Sequence, residues 1–329
     1  MIKKYFQKKE IRLNRFELIK TDEYPDFDMK VTLKPSFRCN QNCWFCTEYD
    51  NDARDWTPER HDEALDILHE AIKDKDSVFI YFYGGEPTLY KQWEELQYHI
   101  VKKYAKKKMF IQTQTNMSVN RKRLRLFLKT INELKSDMHT IDICSSYHLT
   151  KQRVEVFKEK MDICNEYNAL GLCFFNTDYI NEERFLSEFN TLVDAYPGKV
   201  KLRFTEIGGG VSGTPEAQQY PTGLDIKSFE FRYFVNKYPE LVQYYEDGFN
   251  FMVDNVKMNF AEVSANDIHK QFRFMKCECG TKNLVIDHEL NVYRCNDDFK
   301  NDRKNVPDSD PKICLNKECY DGLEFTKWR

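Results

Sequence analysis

From residue 29 to residue 206 the chain switches repeatedly between two hydrophobic rhythms. Short runs dense in β-branched and aromatic residues read as strands: 29–34 (MKVTLK), 77–83 (SVFIYFY), 109–114 (MFIQTQ), 139–145 (HTIDICS), 170–176 (LGLCFFN) and 199–206 (KVKLRFTE). The segments between them repeat apolar residues at helical spacing. Ala64, Leu65, Leu68, Ala71 and Ile72 form the first such stripe, and Trp93, Leu96 and Ile100 the second. Leu124, Phe127, Leu128 and Ile131 follow, then Val154, Phe157 and Met161, then Phe185, Leu186, Phe189, Leu192 and Val193. Thr57 before Pro58 supplies an N-cap and a residue suited to the first helical position. This alternation predicts an α/β fold with a parallel sheet covered by helices, either an open sheet or a partial (β/α)6 barrel.

Past residue 206 the alternation stops. GGGVSGTPEAQQYPTG reads as a loop, and an aromatic-rich helical region follows it. FNFMVDNVKMNF predicts a hairpin turning at Asp254 and Asn255, and NLVIDHELNVYRC (283–295) predicts a second one. The expected organisation is an N-terminal extension at 1–27, the alternating segment at 28–206, a linker with substrate-side helices and a hairpin at 207–270, and a cysteine-rich segment at 271–329.

In parallel α/β folds, function collects at the carboxyl ends of the strands. The distinctive motifs fall there. FRCNQNCWFC follows the first strand and GGEPT the second; TQTN ends the third and CSSYH the fourth; FNTD and TEIGGG follow the last two.

A net charge of −3 and a pI near 6.2 provide no basic field to hold a phosphate backbone, which argues against nucleic-acid binding. The basic run KKYAKKK (102–108) reads as a solvated helix end. The opening MIKKYFQKKE lacks the apolar stretch of a signal peptide, and no segment reaches the length of a membrane span, so a cytoplasmic protein is expected.

Against that expectation the 11 cysteines need a reason other than disulfides. Cys164 continues the Val154–Phe157–Met161 stripe and Cys173 lies in an apolar run, so both read as core. Cys39, Cys43 and Cys46 are crowded onto one loop, with Trp44 and Phe45 between the last pair. A structural zinc site needs four ligands and would be left short here. A [4Fe–4S] cube held by three thiolates would keep one iron open for a substrate or cofactor.

CxxxCxFC after the first strand, with GGEP after the second, resembles the radical S-adenosylmethionine enzymes over residues 28–206. The resemblance implies a partial (β/α)6 barrel in which Cys39, Cys43 and Cys46 hold a [4Fe–4S] cluster. S-adenosylmethionine would chelate the open iron and be cleaved reductively to a 5′-deoxyadenosyl radical, with electrons from a donor such as flavodoxin or ferredoxin. By the same resemblance Gly84, Gly85, Glu86 and Pro87 form the methionine clamp. Glu86 is expected to accept from the methionyl ammonium, and Phe45 to lie near the adenine. Asn116 and Ser145 or Ser146 would contact the ribose or carboxylate.

Cys277, Cys279, Cys295, Cys314 and Cys319 surround the second predicted hairpin, in a small β-hairpin/helix extension similar to the Twitch and SPASM segments of those enzymes. That similarity implies one auxiliary [4Fe–4S] cluster; a zinc ribbon built from the same thiolates is the alternative. Enzymes with such extensions mostly modify peptides or proteins by crosslinking, epimerisation or oxidation. Only about 28 residues precede the alternating segment, so a separate leader-binding protein, or a small-molecule substrate of a dehydrogenase or a nucleotide- or sugar-modifying enzyme, is the further expectation. A non-catalytic metal-binding module is the reading from a different class. Tyr147, His148 and Asp297, with Asp178 and Glu206, are the candidate proton-transfer groups.

Overall fold

The structure is a computed structural model. It describes residues 13–18, 26–41, 43, 46, 55–176, 182–203, 237–244, 250–259, 271, 272, 275–295, 298, 312, 313, 327 and 328. These fall into two compact units, one built from 1–33, 57–81 and 246–329, the other from 34–56 and 82–245.

The first unit contains β1 (Arg15–Leu18), β2 (Met29–Leu33), helix α1 (Pro58–Ile72) and β3 (Ser77–Phe82, whose last residue belongs to the second unit). As the sequence predicts, Thr57 caps α1 by accepting from the Arg60 N–H. Ala64, Leu65, Leu68 and Ile72 form its buried face. The second unit contains α2 (Trp93–Lys103), β4 (Lys108–Thr115), α3 (Arg121–Leu134), β5 (His139–His148), α4 (Val154–Glu166), β6 (Leu170–Asn176), α5 (Glu182–Ala195) and β7 (Val200–Arg203). Its strands run β4-β5-β6-β7, every neighbouring pair parallel. The fold class is therefore α/β with mostly parallel strands, as the alternation predicts, and among the described residues the strands do not close into a barrel. Lys102, Lys103 and Lys106 are exposed at the end of α2.

Side-chain alternation divides the strands of the second unit into two faces. Ile111, Thr113, Ile141, Ile143, Ser145, Tyr147, Cys173 and Phe175 are buried. Tyr147 packs on Phe157 of α4, and Phe175 on Phe185 and Phe189 of α5. Cys164 and Cys173 are fully buried core residues, as expected, with burial pushing both thiols up to about 12. The other face carries Gln112, Gln114, Asp142 and Ser146, all half-buried. Gln112 donates to Asp142 at 2.7 Å and Gln114 to Ser146 at 2.7 Å.

Among its described residues the first unit also holds β8 (Asn250–Val253), β9 (Val256–Asn259), β10 (Lys276–Cys277), a one-turn helix (Cys279–Lys282), β11 (Asn283–Ile286), β12 (Val292–Tyr293), β13 (Lys312–Ile313) and β14 (Lys327–Trp328). Both predicted hairpins form. β8 and β9 turn at Asp254 and Asn255, whose φ values of 46° and 70° suit a primed two-residue turn. β11 and β12 pair Val285 with Tyr293. Two pairings have no counterpart in the sequence pattern. β11 lies parallel to β2, Asn283 opposite Lys30, and β1 is an interior strand of a six-stranded sheet ordered β13-β10-β14-β1-β8-β9.

Candidate active site

The cysteine loop and the GGEP segment are joined main chain to main chain. Gly85 N–H donates to the Ser36 carbonyl at 3.2 Å and Glu86 N–H to the Arg38 carbonyl at 2.7 Å. This approach demands glycine. Gly84 has φ +132°, and a Cβ there would lie 2.5 Å from the Ser36 oxygen; one on Gly85 would collide with the Phe37 and Arg38 carbonyls. Pro87 opens a short 3-10 turn, Pro87–Leu89, that carries the chain away. The buried ammonium of Lys34, at the root of the loop, lies over the rings of Phe37 (5.7 Å) and Tyr83 (5.1 Å).

Glu86 is held by its own chain. Its carboxylate is only 1% exposed, and four donors of its own chain occupy it. Oε1 accepts from Thr88 N–H (3.1 Å), the Thr88 hydroxyl (2.5 Å) and the Thr115 hydroxyl (2.7 Å); Oε2 accepts from Asn116 N–H (2.7 Å). Burial pushes its pKa up while these donors pull it down. Glu86 thereby ties the turn after β3 to the end of β4.

One geometric rule places the next two residues. Successive strand residues point to opposite faces, so Ser145 and Tyr147 cannot share the face of Ser146 and His148. Ser145 is fully buried, opposite Cys173. Tyr147 is a core ring whose hydroxyl donates to Glu188 (2.5 Å), with burial and that carboxylate driving its pKa far up. Both side chains belong to the face that packs into the core. Ser146 stays on the half-buried face.

Asn116 and His148 reach the thiols. Asn116 Nδ2 lies 3.7 Å from Cys39 Sγ and His148 Nδ1 lies 3.7 Å from Cys43 Sγ. The Cys46 N–H donates to the Cys43 carbonyl at 3.0 Å, a turn between the last two cysteines. Sequence reasoning missed Gln152, whose side chain accepts from His148 N–H (2.7 Å) and donates to the Asn116 carbonyl. A polar residue just past a strand end was the signal available.

Cys277, Cys279 and Cys295 pack together in the first unit. Cys279 N–H donates to Cys277 Sγ (3.5 Å) and Asp298 N–H to Cys295 Sγ (3.4 Å). The Cys277 and Cys279 thiols share a hydrogen bond that pulls Cys277 down, helped by the Lys327 and Arg294 charges against the cost of burial, and pushes Cys279 up. Arg294 pairs with Asp298 at 2.7 Å, with Asp298 fully buried. β13 sets Lys312 opposite Cys277, two positions before Cys314 in sequence. Phe45, Asp178, Glu206, Asp297, Cys314 and Cys319 lie outside the described residues.

Among the described residues no group of three His, Cys, Asp or Glu side chains is arranged to hold a single metal ion. A cubane takes one thiolate per iron, so its ligands need not converge on one point. By donor chemistry both cysteine groups suit such a cluster. A cavity of about 410 Å³ opens between α4 and α5, lined by Lys158, Asp162, Arg184 and Glu188 among others, and no motif residue borders it. No described helix is long and apolar enough to cross a membrane.

Residues 33–184 match the Radical SAM superfamily. The matched segment, just under half of the chain, contains both the cysteine loop and the GGEP segment. The solved structures similar to the chain include BtrN in complex with AdoMet and 2-DOIA, at 16% identity over 57% of this chain and 72% of that one, TM-score 0.34. Native anSMEcpe with bound AdoMet is similar at 11% identity over 82% and 74%, TM-score 0.49. Streptococcus suis SuiB bound to precursor peptide SuiA is similar at 16% identity over 91% and 64%, TM-score 0.36. No curated protein matches the sequence.

Proposed function

We propose that the chain is a radical S-adenosylmethionine enzyme that modifies a peptide or protein, with a second cluster in its cysteine-rich C-terminal segment, 271–329. The observation that carries the catalytic half is the main-chain stitch between the two motifs, Gly85 to Ser36 and Glu86 to Arg38. Bound together, the cluster and S-adenosylmethionine supply reductive cleavage of the sulfonium and abstraction of hydrogen from a substrate C–H bond. Cys39, Cys43 and Cys46 are the residues assigned to hold the cluster. The Gly84–Pro87 backbone, Phe45, Asn116 and Ser146 are assigned to S-adenosylmethionine. Glu86 fixes that backbone by drawing the β3 turn and the β4 end onto one carboxylate.

Cys277, Cys279 and Cys295, with Cys314 or Cys319, are assigned to the auxiliary cluster. Three buried thiols in mutual contact beside the Lys327 and Arg294 charges support this reading, because a cationic setting favours thiolates. A flavodoxin or ferredoxin is the proposed reductant, and a separate leader-binding protein the proposed peptide carrier.

The test is anaerobic reconstitution followed by reduction in the presence of S-adenosylmethionine. Formation of 5′-deoxyadenosine is expected, and its absence from iron-replete protein overturns the catalytic assignment. Deuterium passing from a deuterated peptide pool into 5′-deoxyadenosine supports the peptide reading. Transfer from small deuterated metabolites alone replaces it with the small-molecule alternative.

A further inference from the structure

The ends of β4 and β5 carry one nitrogen each to within 3.7 Å of a loop sulfur: Asn116 Nδ2 to Cys39 and His148 Nδ1 to Cys43. These partners are 77 and 105 residues apart in sequence, so the contacts are made by the fold and not by local chain geometry. Both donors are nearly buried, Asn116 at 7% and His148 at 8% exposure, where a hydrogen bond is little weakened by water.

The polarity of each contact follows from its surroundings. Asn116 Oδ1 accepts from Ser118 N–H at 2.9 Å, which turns the NH2 end toward Cys39 and Asn40. The amide therefore donates to sulfur. A metal-bound thiolate has no proton, so a nitrogen at this distance can only be a donor to it. For His148 the donor form is the tautomer with the proton on Nδ1. Gln152 holds both donors in register, because its one side chain bonds His148 N–H and the Asn116 carbonyl. Glu86 fixes Asn116 from the other side through its N–H.

We propose that Asn116 and His148 are positioning residues that set the reduction potential of the cluster held by Cys39, Cys43 and Cys46, by donating N–H···S hydrogen bonds to two of its three thiolates. This rests on the cluster assignment above. Hydrogen bonds to sulfur favour the more negatively charged, reduced cluster and so raise its potential. His148 is accordingly a support for the electron acceptor and not a proton-transfer group acting on substrate.

The experiment is a redox titration followed by electron paramagnetic resonance on the reconstituted full chain without S-adenosylmethionine. The signal followed is the one that disappears when Cys39, Cys43 and Cys46 are all changed to alanine. His148→Leu is expected to lower the reduced-to-oxidised ratio at fixed potential about tenfold, about 59 mV for one electron. Asn116→Leu should act in the same direction at the other sulfur, and the two should add. His148→Gln, which keeps an N–H, should stay close to wild type. An unmoved potential in an iron-loaded leucine variant overturns the tuning role while leaving the cluster assignment intact. If His148→Leu fails to retain iron, the Asn116→Leu potential decides the question. If no signal depends on the three cysteines, the parent reading and this one fall together.

Discussion

The two cysteine groups are built on different plans. Cys277, Cys279 and Cys295 are buried together, touch one another, and sit beside Lys327 and Arg294. Cys39 and Cys46 are half-buried on a loop, and the distant strand-end residues Asn116 and His148 reach the sulfurs of Cys39 and Cys43. A group gathered by burial and charge suits a closed site whose ligands all come from the protein. A loop whose sulfurs are steadied from outside suits a cluster with one iron left for a cofactor. The contrast follows the division between structural and catalytic metal sites, where the second kind keeps an open position.

The sharpest way to break this contrast is to remove the loop thiols. Changing Cys39, Cys43 and Cys46 to alanine should abolish 5′-deoxyadenosine formation, and iron per chain should fall from about eight to about four. Iron falling to zero would mean that the C-terminal thiols hold none, and zinc found there would make that segment a structural tail. Next in size is Arg294→Met, which removes the guanidinium paired with the fully buried Asp298 carboxylate. A loss of about 3–5 kcal/mol is expected in chemical denaturation, with 5′-deoxyadenosine formation kept in the folded fraction. Loss of cleavage without loss of stability would contradict the separation of roles.

A smaller effect involves neither cysteine group. Burial raises the Asp142 carboxyl to about 6 from an ordinary 3.8, partly offset by the Gln112 amide and the Lys199 charge. The folded chain then binds more protons than the unfolded chain between those values, so stability should fall as pH rises from about 4 to about 6. The difference of roughly two units corresponds to about 3 kcal/mol at most. Asp142→Asn should flatten that part of the curve and leave the iron content unchanged. The smallest expected change is Glu86→Gln, which replaces one acceptor by an NH2 group among four donors. It should cost about 1–3 kcal/mol of stability. Its effect on S-adenosylmethionine binding should track that loss, and weakened binding at unchanged stability would restore a direct contact.

What the sequence made legible was what repeats locally. Five helical stripes and six apolar runs each correspond to an observed element, because periods of 3.6 and 2 are written in neighbouring residues. Strand β5 runs on to His148 past its predicted end, since Tyr147 packs into the core like the residues before it. Alternation would have separated Ser145 from Ser146, given that extension. What the sequence concealed was pairing over distance. Nothing local in RFEL marks Arg15–Leu18 as an interior strand, because its partners lie more than 230 residues away. The Glu86 carboxylate reads as a free anion until Thr115 and Asn116, 29 and 30 residues on, are brought to it.

The position of β1 also constrains when the first unit can form. Its β8 edge can pair after about 235 further residues, but Arg15 and Phe16 pair with Trp328 and Lys327, so the other edge must wait until about 310 have been made. At roughly 5–20 residues per second that is a delay of about 15 to 60 s on the ribosome. Throughout it, β1 shows unpaired main-chain groups, while the parallel strands of the second unit, complete by Arg203, are already available to fold. The first of the described strands is therefore among the last to gain all its partners.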